Sequence, residues 1–243
     1  MPFWTYRNEG EDGVLQIDGV LQVEEDWWDG GAVIARNIRR HIERSKDVTV
    51  YINSPGGDVM AGAEIYTALR EHSEQGKGSV TVKVSGIAAS AASVIAMAGD
   101  VVLMSPVAYM MIHNPWTMIA GNAADLRKQA DVLDVIAEGL IAAYERRTGK
   151  TRDEIMDLLA GETYMSAQTC VDEGFADGIL WEAGAPEDTA RVPAAMMKAR
   201  NYGRQAAMAM LRDHGAIRDA KPDRPDRRAD IAKRADFIAK LYK

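Results

Sequence analysis

The stretch that most constrains the fold of this chain runs from Val84 to Gly99, with the sequence VSGIAASAASVIAMAG. A run typical of a β-strand gives way, after Gly86, to small residues that indicate a tightly packed helix. Ser90 lies where this helix should begin, beside backbone N–H groups that have no acceptor within the helix. Acyl-transfer enzymes place nucleophiles in such positions, but on this segment alone an N-cap serine before closely packed alanines is the simpler explanation.

Alternating strand and helix patterns extend from residue 14 to residue 181. Short connections between them predict an α/β domain in which right-handed crossovers stack helices against a sheet. Residues 1–13 are expected to form an arm or a peripheral strand. The other strands are expected at 14–23, 48–53, 79–84, 101–104, 108–113 and 178–181, and the helices at about 34–42, 61–72, 90–99, 123–147, 152–159 and 166–174.

The composition changes after residue 182, which predicts a domain over 1–182 and a separate extension over 183–243. The extension is basic and partly helical by pattern, with a linker-like segment near 219–229 that contains KPDRPDRR. The whole chain carries a net charge of −7, whereas 14 basic and 6 acidic side chains follow from Arg191 onward. Such a tail can bind nucleic acid or an acidic partner, or it can lie on the acidic body of its own chain.

Three absences in the sequence narrow the class of protein. No apolar run reaches the roughly 20 residues of a membrane span, and no basic segment followed by an apolar one marks a secretory signal. The only cysteine is Cys170, so no disulfide can form within the chain. We therefore expect a cytoplasmic protein that makes no membrane contact.

The tetrapeptide Ser54-Pro55-Gly56-Gly57 ends the strand VTVYIN. Paired glycines adopt backbone angles that other residues resist, and they let N–H groups point into a site without side chains in the way. This turn can therefore supply an oxyanion hole, although an ordinary strand-to-helix turn has the same appearance.

His113 ends the apolar run YMMIH, and a histidine at the carboxyl end of a strand is well placed to face the crevice of an open α/β sheet. His41 and His72 fall on charged helix faces by pattern, and His214 falls in the basic tail. His113 is therefore the candidate general base, with a hydrogen-bonded structural role as the alternative.

Taken in order, INSPGGDVMAG, GIAAS and MIHNP resemble the proteolytic subunit of Clp proteases. The chain is more similar still to the Clp-like head-maturation proteases of tailed phages and prophages. GNAADLRKQADVLD, RRTGKTRDEI, ETYMSA and GFADGI continue the resemblance, which covers roughly 13–181. It implies a spiral of strand-turn-helix units, a fold that Clp subunits share with the crotonase superfamily.

The resemblance also implies roles for individual residues. Ser90 would be the nucleophile and His113 the general base, while the oxyanion hole would come from the backbone N–H groups of Gly57, or its neighbour Asp58, and of Ala91. This set is chemically coherent, because a serine hydroxyl needs a base to remove its proton and the oxyanion needs donors fixed in advance. The resemblance implies neither a metal nor a cofactor.

Other residues compete for these roles or leave them open. Ser93 and Ser85 are alternative nucleophiles, and we expect Ser93 to be buried within the helix. The group that orients the histidine is undecided between Asp157, Glu162 and a Ser–His pair completed by a backbone carbonyl or a water.

We expect a serine endopeptidase that cleaves a phage scaffold or capsid protein during head maturation, with the enzyme itself as a second target. By the same resemblance the protein would form a homo-oligomeric ring, through the helix at 123–147 and the loop at 114–122. A Clp ATPase partner is neither indicated nor excluded. Two alternatives remain: a crotonase-type acyl-CoA hydratase or isomerase, and a non-catalytic phage assembly protein that keeps the fold.

Overall fold

The computed structural model describes residues 3–22 and 33–182, and it confirms the α/β class. The predicted extension over 183–243 lies outside the described residues. The strands are β1 (Trp4–Glu9), β2 (Asp12–Leu21), β3 (Val48–Gly57), β4 (Val80–Ala89), β5 (Val101–Met104), β6 (Tyr109–Ile112), β7 (Thr163–Ser166) and β8 (Gly178–Ile179). The helices are α1 (Val33–Ile42), α2 (Val59–Glu74), α3 (Ala91–Ala96), α4 (Ala123–Thr148), α5 (Arg152–Ala160) and α6 (Ala167–Asp172).

One sheet joins these strands in the order β1-β2-β3-β4-β5-β8, and it forks along β4. The first half of β4, 81–84, pairs with β5, whereas its second half, 87–89, pairs with β6. Pairing is parallel except for β1 with β2 and β6 with β7. The fork matters because it brings the carboxyl end of β6 beside the end of β4.

The core lies between the sheet and the helices: α2 and α3 pack against β3 and β4, and α1 packs against α2. Ile17, Ile52 and Val84 are aligned across three neighbouring strands and are fully buried. Ile65 and Leu69 of α2 are buried as well. Each such side chain contributes roughly 1.5–3 kcal/mol through burial of apolar surface, so this layer holds the strand ends rigidly in place.

Helix α4 has two halves with opposite environments. Its second half enters the core through Ile141, Ala143 and Tyr144. Its first half exposes apolar side chains instead, with Val135 at 72% and Leu126 at 47% of their full exposure. The capping box at Asn122 starts the helix, and Gly149 ends it in the left-handed conformation with φ of 70°.

Strands β3 and β4 are longer than the sequence pattern predicts. β3 continues through the whole Ser54–Gly57 segment, since Leu21 of β2 pairs with Gly57. β4 continues to Ala89, which pairs with Met111, so the helix expected near residue 90 begins only at Ala91. Both extensions depend on partners that are distant in sequence, and a local pattern does not report them.

Two histidines assigned to charged helix faces are placed differently. His72 is buried, at 2% exposure, and its Nε2 lies 2.7 Å from the carbonyl oxygen of Lys46. His41 is half-buried and stacks on Tyr6, with 4.8 Å between the ring centroids. The difference arises because α1 packs against the β1–β2 hairpin and α2 packs against the turn before β3. A helical sequence pattern does not reveal such contacts.

Cys170 lies in α6 and is fully buried in the core. Burial raises the pKa of its thiol to about 12, because the apolar surroundings disfavour the thiolate. Within 3–22 and 33–182, no helix is long and apolar enough to cross a membrane.

Candidate active site

Ser90 occupies the sharp turn between β4 and α3. Its backbone has φ of 54° and ψ of −129°, a conformation that costs a non-glycine residue about 1–3 kcal/mol. The turn is held by a hydrogen bond from the Ser90 N–H to the carbonyl oxygen of Met111, at 2.9 Å. A strained strand-to-helix turn of this kind presents a serine hydroxyl clear of both elements.

His113 follows directly after β6, and its Nε2 lies 2.8 Å from the Ser90 Oγ. Both residues are half-buried, so the pair is accessible from outside and shielded on its inner side. The fork in the sheet produces this contact, because β6 pairs with the last residues of β4. A neutral imidazole whose Nε2 accepts from the hydroxyl can remove its proton during an attack by the oxygen.

The Gly56-Gly57 turn lies against Ser90. Both glycines have positive φ, +91° and +141°. A Cβ on Gly56 would stand 2.5 Å from the carbonyl oxygen of Ala89 and 2.7 Å from the Ser90 Cβ, and one on Gly57 would stand 2.2 Å from the carbonyl oxygen of Leu21. Glycine is therefore required twice over, by conformation and by space.

Hydrogen bonds narrow the choice of oxyanion donors. The Asp58 N–H donates to the carbonyl oxygen of Leu21 at 3.0 Å, which removes it as the alternative to Gly57. The Ala91 N–H lies in the first turn of α3, where an amide has no acceptor within its own helix. Gly57 and Ala91 therefore stay the candidates, and the structure brings their turns together beside Ser90.

Ser54 contributes to this site in a way that the sequence analysis missed. It is fully buried, and its Oγ donates to the carbonyl oxygen of Gly19 at 2.6 Å while it accepts from the Gly56 N–H at 3.1 Å. The hydroxyl thus ties the glycine turn to β2. The available signal was a serine immediately before Pro-Gly-Gly, a position where a side-chain hydroxyl often stabilises a turn.

The two competing serines are engaged elsewhere. Ser93 is fully buried, as expected, and its Oγ bonds to the Ser90 carbonyl oxygen and to the Tyr144 hydroxyl. Ser85 is exposed on β4, and its Oγ donates to the carbonyl oxygen of Ile52 at 3.2 Å. Neither arrangement resembles the direct contact between the Ser90 hydroxyl and an imidazole.

Strand register separates the two acidic candidates. β6 and β7 are antiparallel, and Ile112 and Thr163 form their last pair. His113 directly follows β6 and Glu162 directly precedes β7, so the two residues adjoin that pair. The N–H groups of Glu162 and of Asn114 both donate to the carbonyl oxygen of Leu159, each at 3.2 Å. Glu162 therefore lies beside the segment that carries His113.

Glu162 also has a strained backbone, with φ of 46°. The pKa of Tyr164 in β7 is raised mainly by burial and also by the negative charge of the Glu162 carboxylate, so this carboxylate lies close to the strand. Asp157 is exposed on α5, and its backbone carbonyl accepts from Gly161. Register and backbone strain thus distinguish Glu162 from Asp157.

In the described part of the chain, no group of three or more His, Cys, Asp or Glu residues is placed to hold an ion.

A family model described as Clp protease matches residues 38–183, which is more than half of the chain. The matched range begins within α1 and includes every candidate site residue named above, from Ser54 to Glu162.

Proposed function

Because the chain belongs to the Clp protease family, we propose that it is a serine endopeptidase that cleaves protein substrates through an acyl-enzyme on Ser90. The observation that carries the assignment of residues is the 2.8 Å contact between His113 Nε2 and Ser90 Oγ. It joins a strained, accessible serine to a base at the meeting point of two strand ends. The same site adjoins a glycine turn that no larger residue could form.

The chemistry follows from these positions. His113 Nε2 takes the proton of Ser90 as Oγ attacks the scissile carbonyl carbon, and the N–H groups of Gly57 and Ala91 stabilise the oxyanion. The imidazolium then protonates the leaving amine, the C–N bond breaks, and an ester remains on Ser90. Water, deprotonated by His113, attacks this ester in turn and releases the carboxylic acid and the free serine.

We assign the orientation of His113 to Glu162. A carboxylate beside the imidazole fixes its tautomer and stabilises the imidazolium that forms in each half-reaction. Glu162 is supported by its position across from His113 at the end of the β6–β7 pair and by its strained backbone. Asp157 lacks both features.

The proposed biological substrate is a scaffold or capsid protein of a tailed phage, with the enzyme itself as a second target. This part rests on the similarity of the motifs to Clp-like head-maturation proteases, because fold and dyad are shared by proteases with many substrates. Neither the crotonase-type alternative nor the non-catalytic one requires a direct contact between Ser90 and His113.

The proposed assembly is a homo-oligomeric ring formed through α4 and the loop before it. Apolar side chains are exposed on the first half of α4, at Leu126, Val132 and Val135, and on the loop at Trp116 and Met118. Exposed apolar side chains that are grouped in this way mark a protein contact more often than a solvent-exposed face.

A fluorophosphonate probe tests the nucleophile directly, because it forms a stable adduct only with an activated serine. The full chain should label, Ser90→Ala should not, and Ser85→Ala should label as the wild type does, since Ser85 is an exposed serine on β4, the strand that leads to Ser90. Labelling of Ser90→Ala at the wild-type rate would overturn the assignment. A wild type that does not label would favour one of the two alternatives.

The substrate proposal needs a separate measurement. Co-expression with the capsid and scaffold proteins of the same genome should give truncated products that mass spectrometry detects with the wild type and not with Ser90→Ala. Uncut capsid and scaffold proteins beside a protease that labels with the probe would contradict the head-maturation role alone.

The ring proposal is tested by light scattering at micromolar concentration. Val135→Glu should lower the molar mass of the assembly, because it places a charge on the exposed apolar half of α4. Val107→Glu is the matched control, since Val107 is exposed to a similar extent, 69% against 72%, and lies outside α4 and its loop. A monomeric wild type would refute the proposal.

A further inference from the structure

The carbonyl oxygen of Ser90 is held by two hydrogen bonds from one residue. The backbone N–H of Ser93 donates to it at 2.9 Å, and the Ser93 Oγ lies 2.6 Å from it. A carbonyl oxygen can only accept, so the Ser93 hydroxyl must donate its single hydrogen there. The nucleophile's own peptide is therefore anchored from the core side.

A second hydroxyl stands behind the first. The Tyr144 hydroxyl lies 2.8 Å from the Ser93 Oγ, and the hydrogen of Ser93 is already committed, so Tyr144 is the donor. Both side chains are fully buried. Burial also raises the pKa of Tyr144, so the phenol keeps its proton at any working pH. The result is a directed chain from Tyr144 through Ser93 to the Ser90 carbonyl.

The end of this chain is one half of the peptide between Ser90 and Ala91. A peptide unit is planar, so fixing its carbonyl oxygen also fixes the direction of the N–H on its other side. That N–H belongs to Ala91, one of the two proposed oxyanion donors. Hydrogen bonds to a carbonyl also polarise the amide, which strengthens its N–H as a donor.

We infer that Tyr144 and Ser93 are positioning residues of the oxyanion hole, acting through the Ser90–Ala91 peptide. The inference rests on the proposed function. It assigns a role in the reaction to a tyrosine of α4 that touches neither the substrate nor the dyad side chains. The pair holds the Ala91 N–H in the direction where charge develops in the transition state, so its contribution belongs to turnover and not to substrate binding.

Three variants test this role: Ser93→Ala, Tyr144→Phe and the double variant. Ser93→Ala should lower kcat about tenfold with KM unchanged, less than the roughly 10²–10³-fold cost of deleting an oxyanion donor outright. Tyr144→Phe should lower kcat a few-fold, because Ser93 keeps its own bond. A peptide boronate, which forms a tetrahedral adduct on Ser90, should lose affinity by the same factors as kcat/KM.

The double variant separates positioning from folding. Ser93→Ala alone leaves the buried Tyr144 hydroxyl without its acceptor, which destabilises the protein. Replacing Tyr144 by Phe as well removes that orphaned group, so the double variant should melt at a higher temperature than Ser93→Ala. Its kcat should nevertheless stay at the Ser93→Ala value, and recovery of kcat together with stability would show a merely structural pair.

A matched control lies at the other end of the sheet. There the Tyr6 hydroxyl is hydrogen-bonded to the Ser45 Oγ, and Ser45 lies 3.4 Å from the carbonyl oxygen of His41. Tyr6→Phe and Ser45→Ala should lower the melting temperature and leave kcat and boronate affinity unchanged. Wild-type kcat and boronate affinity in Ser93→Ala would overturn the inference while leaving the peptidase intact, whereas a wild type that does not label with fluorophosphonate would overturn the proposed function itself.

Discussion

The two ends of the sheet are built in opposite ways. At the amino end, Asp47 accepts hydrogen bonds from the N–H and the hydroxyl of Ser79, both at 2.8 Å, and the buried His72 ring bonds the Lys46 carbonyl. At the carboxyl end, the non-glycine residues Ser90 and Glu162 adopt positive φ, which is strained for them, whereas the positive φ values at the amino end fall on glycines such as Gly10. One end is built of conventional hydrogen bonds, and the other holds strained backbone.

Within the described residues, the rigid core supports strained backbone at one end of the sheet only. Strained backbone persists only where the surroundings determine it, and here the buried strands and helices do so from below. Changes at the carboxyl end should therefore act on reaction rate first, whereas changes at the amino end should act on stability alone. Each prediction below tests that division.

The largest effect is expected at the dyad. Ser90→Ala and His113→Ala should each reduce peptide hydrolysis at least about 10³-fold with little change in melting temperature, because the two groups act as a unit. The double variant should be no slower than Ser90→Ala. Additive losses in the double variant would mean that His113 acts on a step that does not involve Ser90.

The acidic group comes next. Glu162→Gln should reduce kcat at least about a hundredfold, since loss of the orienting carboxylate costs up to about 10⁴-fold in proteases with three-residue sites. Asp157→Asn is the control of the same chemical type and should stay within a few-fold of the wild type. Circular dichroism should show both folded.

If Asp157→Asn proves to be the slow variant, strand register has been a poor guide to the site. If both variants stay near the wild-type rate, the working unit is a dyad of Ser90 and His113.

The glycine turn should show a mixed effect. Gly56→Ala places a methyl group 2.5 Å from the Ala89 carbonyl oxygen in a backbone with φ of +91°, which we expect to cost about 1–3 kcal/mol and to lower kcat at least tenfold. Gly10→Ala is the matched control at the amino end: its φ is +72°, but no atom lies within 4 Å of the added Cβ. It should lose stability only, and slow turnover in that variant would break the division between the two ends.

The smallest effect is expected at Asp47. The N–H and hydroxyl of Ser79 hold the pKa of the Asp47 carboxyl below its usual value, so the ionised group stabilises the fold above about pH 4 and this stabilisation is lost as the pH falls further. Asp47→Asn should unfold about 1 kcal/mol more easily at pH 7, with kcat unchanged. Denaturation at pH 3 should narrow the gap between variant and wild type, and a gap that widens there would contradict the sign.

Sequence patterns predicted the fold class and the existence of most elements, and they singled out Ser90 and His113, which the structure places 2.8 Å apart. They succeeded where the signal is local, as in the β-branched strand before Ser54 or the capped ends of α4. They were wrong about the lengths of β3 and β4 and about His72, since each depends on a partner distant in sequence. The proposed choice of Glu162 over Asp157 rests on the β6–β7 register, which a local pattern does not report for the same reason.

The bond between Tyr144 and Ser93 joins residues 51 positions apart, and no spacing rule anticipates it. Sequence reasoning placed Ser93 inside the helix and took its burial as grounds to set it aside. Burial was the correct expectation, but it concealed the contact that makes Ser93 relevant to the site.

The burial of Cys170 makes the protein its own probe of unfolding. The thiol is the only one in the chain, it is fully enclosed by the core, and its pKa of about 12 keeps it from forming the reactive thiolate. A thiol reagent therefore modifies the protein only when α6 opens, so the rate of modification measures how often that part of the core is breached. Every substitution discussed above can be compared on that scale without adding a label.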